Sequence, residues 1–149
     1  MTKGEHAAQR VRSGVNCAQS VLGEFADDLG LDIDLADAVA CGFGGGIGGL
    51  GGSCGGVTGG TMVIGLLTCG PTHQGPSAEG SIDGLVQDFV RRFQEEHGSA
   101  LCLDLLGCDV STPEGLARAE EQGLFDTRCP VFVSRAVEIL QDMFPEELA

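Results

Sequence analysis

A chain of 149 residues with 42% hydrophobic content falls where one hydrophobic core is the usual solution, so a single domain over residues 1–149 is expected. Eight Lys and Arg against 22 Asp and Glu give a formal net charge of -14, a field that repels phosphate backbones and removes nucleic acid from the expected partners. Even the apolar run at 61–69 falls short of the roughly 20 residues a membrane helix needs, and the charged start at 1–6 leads into no signal core, so a cytoplasmic protein without a membrane span is expected.

In chain order, the first predicted helix covers 17–29, with Cys17, Val21, Leu22, Phe25 and Leu29 on one face and Gly30 as the stop. Asp34 is placed to cap a second helix running through Val39. The segment 41–60 follows, mostly glycine and without a charge. A Gly/Ser linker would be polar, whereas this segment interleaves Phe43, Ile47, Leu50 and Val57, which argues for burial in close-packed backbone. A helix-interior glycine costs roughly 0.5–1 kcal/mol, so such density implies that two backbones, or a backbone and a bound group, approach closely. Gly55, Gly56 and Gly59 are the candidate contacts with a bound group.

The clearest periodicity lies at 82–93, where Ile82, Leu85, Val86, Phe89, Val90 and Phe93 form one apolar stripe ahead of the stop at Gly98. Ser99 caps a short helix through Leu106, and Ser111 precedes one beginning near Pro113. A last helix is predicted over 130–144, with Phe132, Val133, Ala136, Val137, Leu140 and Phe144 facing inward. Alternating strand patterns are nearly absent. The expected fold is all-α, a compact bundle of six or more short helices enclosing a buried glycine-rich segment.

Seven cysteines are many for a reducing compartment, where they do not form a permanent disulfide scaffold. The ordinary reading of any one of them is a small buried hydrophobe. Four, however, fall at predicted helix starts: Cys17 after Asn16, Cys54 after Ser53, Cys102 just beyond Ser99, and Cys129 before Pro130. Free N–H groups and the positive dipole end there favour a thiolate, the form that attacks disulfides and binds metals. Cys41, Cys69 and Cys108 are left as packing residues.

Familiar motifs fail. No Cys-x-x-Cys is present for a thioredoxin-like pair, a zinc ribbon or haem attachment. Residues 44–49 match G-x-G-x-x-G, but no strand precedes them, and no Gly-Lys-Ser/Thr follows to make a P-loop. His6, His73 and His97 have no paired metal-ligand spacing.

Around Cys54-Gly55-Gly56-Val57-Thr58-Gly59 the chain resembles the C_GCAxxG_C_C family of redox-active proteins. Asn16-Cys17-Ala18-Gln19 precedes this motif; Cys102-Leu103-Asp104 and Cys129-Pro130 follow in the family's order. The resemblance implies a helical fold and a redox or metal-related role, and maps the four family cysteines to Cys17, Cys54, Cys102 and Cys129. Gly56 departs from the family's usual alanine, a small-for-small change expected to preserve packing.

Three functions remain open. Four thiolates without a histidine partner suit an iron–sulfur cluster or another thiophilic metal, serving electron transfer or sensing with a redox partner. The same cysteines suit metal-free thiol–disulfide exchange. A helical binding or assembly module, in which the glycine segment lines a homo-oligomer interface, is the third.

Overall fold

A computed structural model describes residues 1–70 and 81–149. The helices are α1 (Lys3–Arg12), α2 (Cys17–Glu24), α3 (Ile33–Ala40), α4 (Gly55–Cys69), α5 (Ile82–His97), α6 (Cys102–Leu106), α7 (Pro113–Glu121), α8 (Leu124–Thr127) and α9 (Cys129–Met143), with a 3₁₀ turn at Cys41–Phe43. The only β pairing among the described residues is an isolated antiparallel bridge between Ser53 and Leu101. The fold is therefore all-α. His73 lies outside the described residues.

The core is built where the apolar stripes meet, and Phe25, Phe89, Phe93 and Phe144 are its largest fully buried side chains. The most extensive helix packing is between α1 and α9 and between α2 and α4. Small residues on α4 bring the helices together. A Cβ on Gly59 would stand 2.8 Å from the Ala18 carbonyl oxygen of α2, and one on Gly60 would stand 2.3 Å from the Phe89 ring of α5. Burying an aromatic ring against bare backbone thus offsets the helix propensity that glycine forfeits.

Boundaries differ from expectation where capping chemistry decides them. Asp32 caps α3, accepting from Leu35 N at 3.0 Å, and Asp34 sits in the first turn. Thr112 rather than Ser111 caps α7, accepting from Gly115 N at 3.0 Å. Ser99 turns back on Leu101 N, so α6 starts later, at Cys102. α2 stops at Glu24, and the chain reaches Gly30 through turns rather than helix. α1 has a full capping box, Thr2 with Glu5, and its small buried face of Gly4, Ala7 and Ala8 carries too little apolar signal to be read from the sequence.

The glycine-rich segment divides in two, which corrects the expectation of uniform burial. Its second half is the buried first half of α4. Its first half runs along the surface, with Ile47 43% and Leu50 72% exposed. Residues 45–49 all have positive φ and wind as a left-handed turn, held by Gly48 N to Gly42 O at 2.8 Å and Gly52 N to Gly46 O at 2.8 Å. Glycine is needed there because L side chains clash in that conformation; Ile47, at φ 68°, is the exception and is strained.

Candidate functional site

Cys17, Cys54, Cys102 and Cys129 line one cavity of about 200 Å³, together with Asn16, Gly45, Gly46, Gly55 and an apolar wall that includes Phe125 and Phe132. Each cysteine stands at the start of a different helix: first residue of α2, N-cap of α4, first residue of α6, first residue of α9. Four distant sequence positions therefore converge because four helices point their N-terminal ends at one space.

Local bonds hold each wall. Asn16 and Gln19 form a capping box that starts α2 at Cys17, and the Asn16 amide also donates to the Cys41 carbonyl at 3.1 Å. Cys54 N donates to Ala100 O at 2.8 Å and Cys102 N to Gly52 O at 2.7 Å, clamping α6 beside the entry to α4. Arg128 donates to the Leu105 and Leu106 carbonyls at 3.3 and 3.1 Å, fixing the end of α6 against the beginning of α9. Gly55 lets α4 reach α2, since a Cβ there would lie 2.5 Å from Cys17 Cβ.

The electrostatics depart from the expectation that a helix start lowers every thiol. Burial pushes the Cys54 thiol up to about 12, with the charges of Cys129 and Cys102 adding to it and N–H groups of Gly56 and Val57 opposing it. Burial likewise pushes Cys102 up to about 11. Cys17 is raised by its hydrogen bond to Cys129 and by burial. Only Cys129 is lowered, because the Cys17 thiol donates toward its sulfur and its own backbone N–H assists. At Cys54 and Cys102 desolvation outweighs the helix-start N–H groups, at Cys17 donation to Cys129 is the larger cause, and at Cys129 that same bonded donor reverses the balance.

Among the described residues no carboxylate, imidazole or ammonium group lines the cavity, and its polar side chains are the four thiols and the Asn16 amide. Among the described residues no three His, Cys, Asp or Glu side chains are grouped to hold a single metal ion. Cys17, Cys54, Cys102 and Cys129 are the cavity side chains whose soft sulfur could hold a thiophilic group.

Gly55 borders the cavity, but Gly56 and Gly59 do not. Gly56 faces Ala136 of α9 and Gly59 faces Ala18 of α2, so both allow close helix packing. Cys41 and Cys69 are exposed, while Cys108 is buried beside the site and its charge adds to the rise at Cys102. Sequence reasoning missed Gly45, Gly46 and Arg128. An arginine directly before a helix-start cysteine was a visible signal; the glycine contacts were not, because they depend on a loop folding back.

The family model described as "Putative redox-active protein (C_GCAxxG_C_C)" matches residues 15–143. No curated protein and no solved structure matches the chain.

Proposed function

The chain belongs to the C_GCAxxG_C_C family, and on that premise we propose that its four-cysteine cavity is an electron-transfer or redox-sensing centre holding an iron–sulfur cluster, working in the cytoplasm. The observation that carries this reading is the convergence of four cysteines, each at the start of its own helix, on one cavity that no carboxylate or imidazole of the described residues lines. Bound there, a cluster supplies reversible one-electron storage.

The chain's own residues do the rest. Cys17, Cys54, Cys102 and Cys129 are the proposed ligands, one from each wall. Their raised thiol pKa values mean that an empty cavity keeps protons on most of them, so loading releases protons and tightens as pH rises. Phe125 and Phe132 keep water away, and backbone N–H groups at the helix starts offset the anionic charge.

With no Trp and no Tyr, the protein's own near-ultraviolet absorption is almost blank. Purification without oxygen, followed by a spectrum and metal analysis of one sample, should show charge-transfer bands with matching iron. Cys54→Ser should abolish both. Full iron in that variant, or wild type with no metal, sinks the reading.

The Cys17–Cys129 contact favours a second, metal-free function. The Cys129 thiolate attacks a substrate disulfide and releases one thiolate, which takes the Cys17 proton. Cys17 then attacks the Cys129 sulfur, expelling the second thiolate and leaving a Cys17–Cys129 disulfide. Thiol titration of metal-free protein before and after mild oxidation should then drop by two, and Cys17→Ser should cancel the drop; an unchanged wild-type count removes this function.

A further inference from the structure

The left-handed turn at 45–49 forms the thin outer wall of the cavity. Gly45 and Gly46 line it from within, and a Cβ on Gly46 would lie 2.8 Å from Cys102 Cβ, so only bare backbone separates that cysteine from the outside. The outer surface of this wall is apolar. Ile47, Leu50, Leu101 and Leu103 are 43%, 72%, 45% and 39% exposed. The Ser53–Leu101 bridge and the bond from Leu103 N to Gly51 O at 3.2 Å bring the two leucines beside the turn.

Ile47 makes the patch hard to explain by folding alone. A β-branched residue at positive φ is strained, and a side chain left 43% exposed recovers little of that cost through packing. The strained residue exposes an apolar side chain next in sequence to Gly45 and Gly46, which line the site.

The rim is acidic. Asp104 is exposed on α6, and the Asp109 carboxylate lies 3.7 Å from where a Gly51 Cβ would be, on a chain of net charge -14. Small apolar contact faces with charged rims suit transient electron-transfer encounters, where apolar contact seats the partner and rim charge steers it.

We propose that the patch formed by Ile47, Leu50, Leu101 and Leu103 docks an electron-transfer protein whose own contact face is apolar and ringed by Lys and Arg. The proposal rests on the redox reading of the four-cysteine site and names its partner. One electron crosses the Gly45–Gly46 wall in each encounter, the donor centre being oxidised and the acceptor reduced by one, with no bond made or broken.

A basic c-type cytochrome serves as the probe, titrated calorimetrically into the anaerobically purified protein at low and at physiological salt. Binding should weaken about tenfold or more in Ile47→Asn and Leu50→Ser, both uncharged and exposed, and should weaken with salt. Val39→Ser, which removes an exposed apolar side chain on α3, should leave it unchanged within twofold. In NMR spectra the amides of 47–51 and 101–104 should shift first. Wild-type binding that Ile47→Asn and Leu50→Ser leave intact, or no wild-type binding, overturns the docking proposal. Reaction with a small neutral mediator needs no docking face and should be the same in Leu50→Ser as in wild type. A wild-type chain with no mediator response removes the redox premise and overturns the proposal with it, so the two failures are told apart.

Discussion

Adjacent glycines at the start of α4 should answer alanine in opposite ways. Gly56→Ala places a methyl 3.5 Å from Ala136 Cβ, 3.5 Å from Phe132 O and 3.7 Å from Cys54 Sγ, all ordinary van der Waals contact. The change removes unfolded-state freedom and glycine's helix penalty, together roughly 0.5–1 kcal/mol, and buries a methyl group worth up to about 0.8 kcal/mol. Gly56 is only the second residue of α4, where propensity counts less, so a net gain of about 1 kcal/mol is expected, or about 2–4 °C in Tm. Gly55→Ala instead drives a methyl to 2.5 Å from Cys17 Cβ and 2.6 Å from Ala18 N, and α2 cannot retreat without opening the cavity. Overpacking of this kind costs roughly 1–3 kcal/mol, and the variant should also lose the site. Thermal and urea unfolding followed by far-ultraviolet circular dichroism measures both. A Gly56→Ala protein less stable than wild type by about 1 kcal/mol, or a Gly55→Ala protein matching wild type, would refute the packing argument.

Metal-free protein should lose stability in alkali. Cys54 and Cys102 are raised from an ordinary thiol value of 9.0 to about 12 and about 11, so their contribution is complete below 9 and lost as pH climbs through that window, where the unfolded chain releases protons the folded chain keeps. Cys129, lowered, contributes in the opposite sense, its share being lost as pH falls through its folded value. Urea midpoints from about pH 8 to pH 11 should fall, less steeply in Cys54→Ala; parallel curves would show that the Cys54 thiol is not held protonated by burial. Arg128→Ala removes the two bonds to the Leu105 and Leu106 carbonyls and should cost about 1.5–3 kcal/mol, with Arg128→Lys restoring part of it. Chemical unfolding reads this directly, and a loss below about 0.5 kcal/mol would mean that α6 is held by the Gly51 and Gly52 bonds alone.

Much of the site was legible before any fold was known. Asn16 before Cys17, with Gln19 three residues on, is a capping pattern that marks a helix start locally, and the structure forms it. Pro130 marks the first turn of α9 in the same way. Because capping is a short-range effect, the placement of these cysteines at helix ends could be read directly. The sign of their pKa values could not. Helix-end position argued for lowered thiols, but the degree of burial and the Cys17–Cys129 pairing depend on residues more than a hundred positions apart.

The glycine segment shows the same division. Its composition demanded close approach, and Gly55, Gly59 and Gly60 provide it, because the absence of a side chain is a local property. Composition did not say that the turn at 45–49 would take positive φ and expose Ile47 and Leu50, since glycine allows both hands of the backbone and only the bonds to Gly42, Gly44, Gly45 and Gly46 choose between them. By itself, the sequence determined the helical class, the apolar faces and the helix-start positions of four cysteines, all consequences of spacing within a few turns. The tertiary structure alone decided that those four starts share one cavity, which thiol is lowered, and that Ile47, Leu50, Leu101 and Leu103 are exposed. Each of these requires segments distant in the chain to meet, and the packing of the whole bundle selects which ones do.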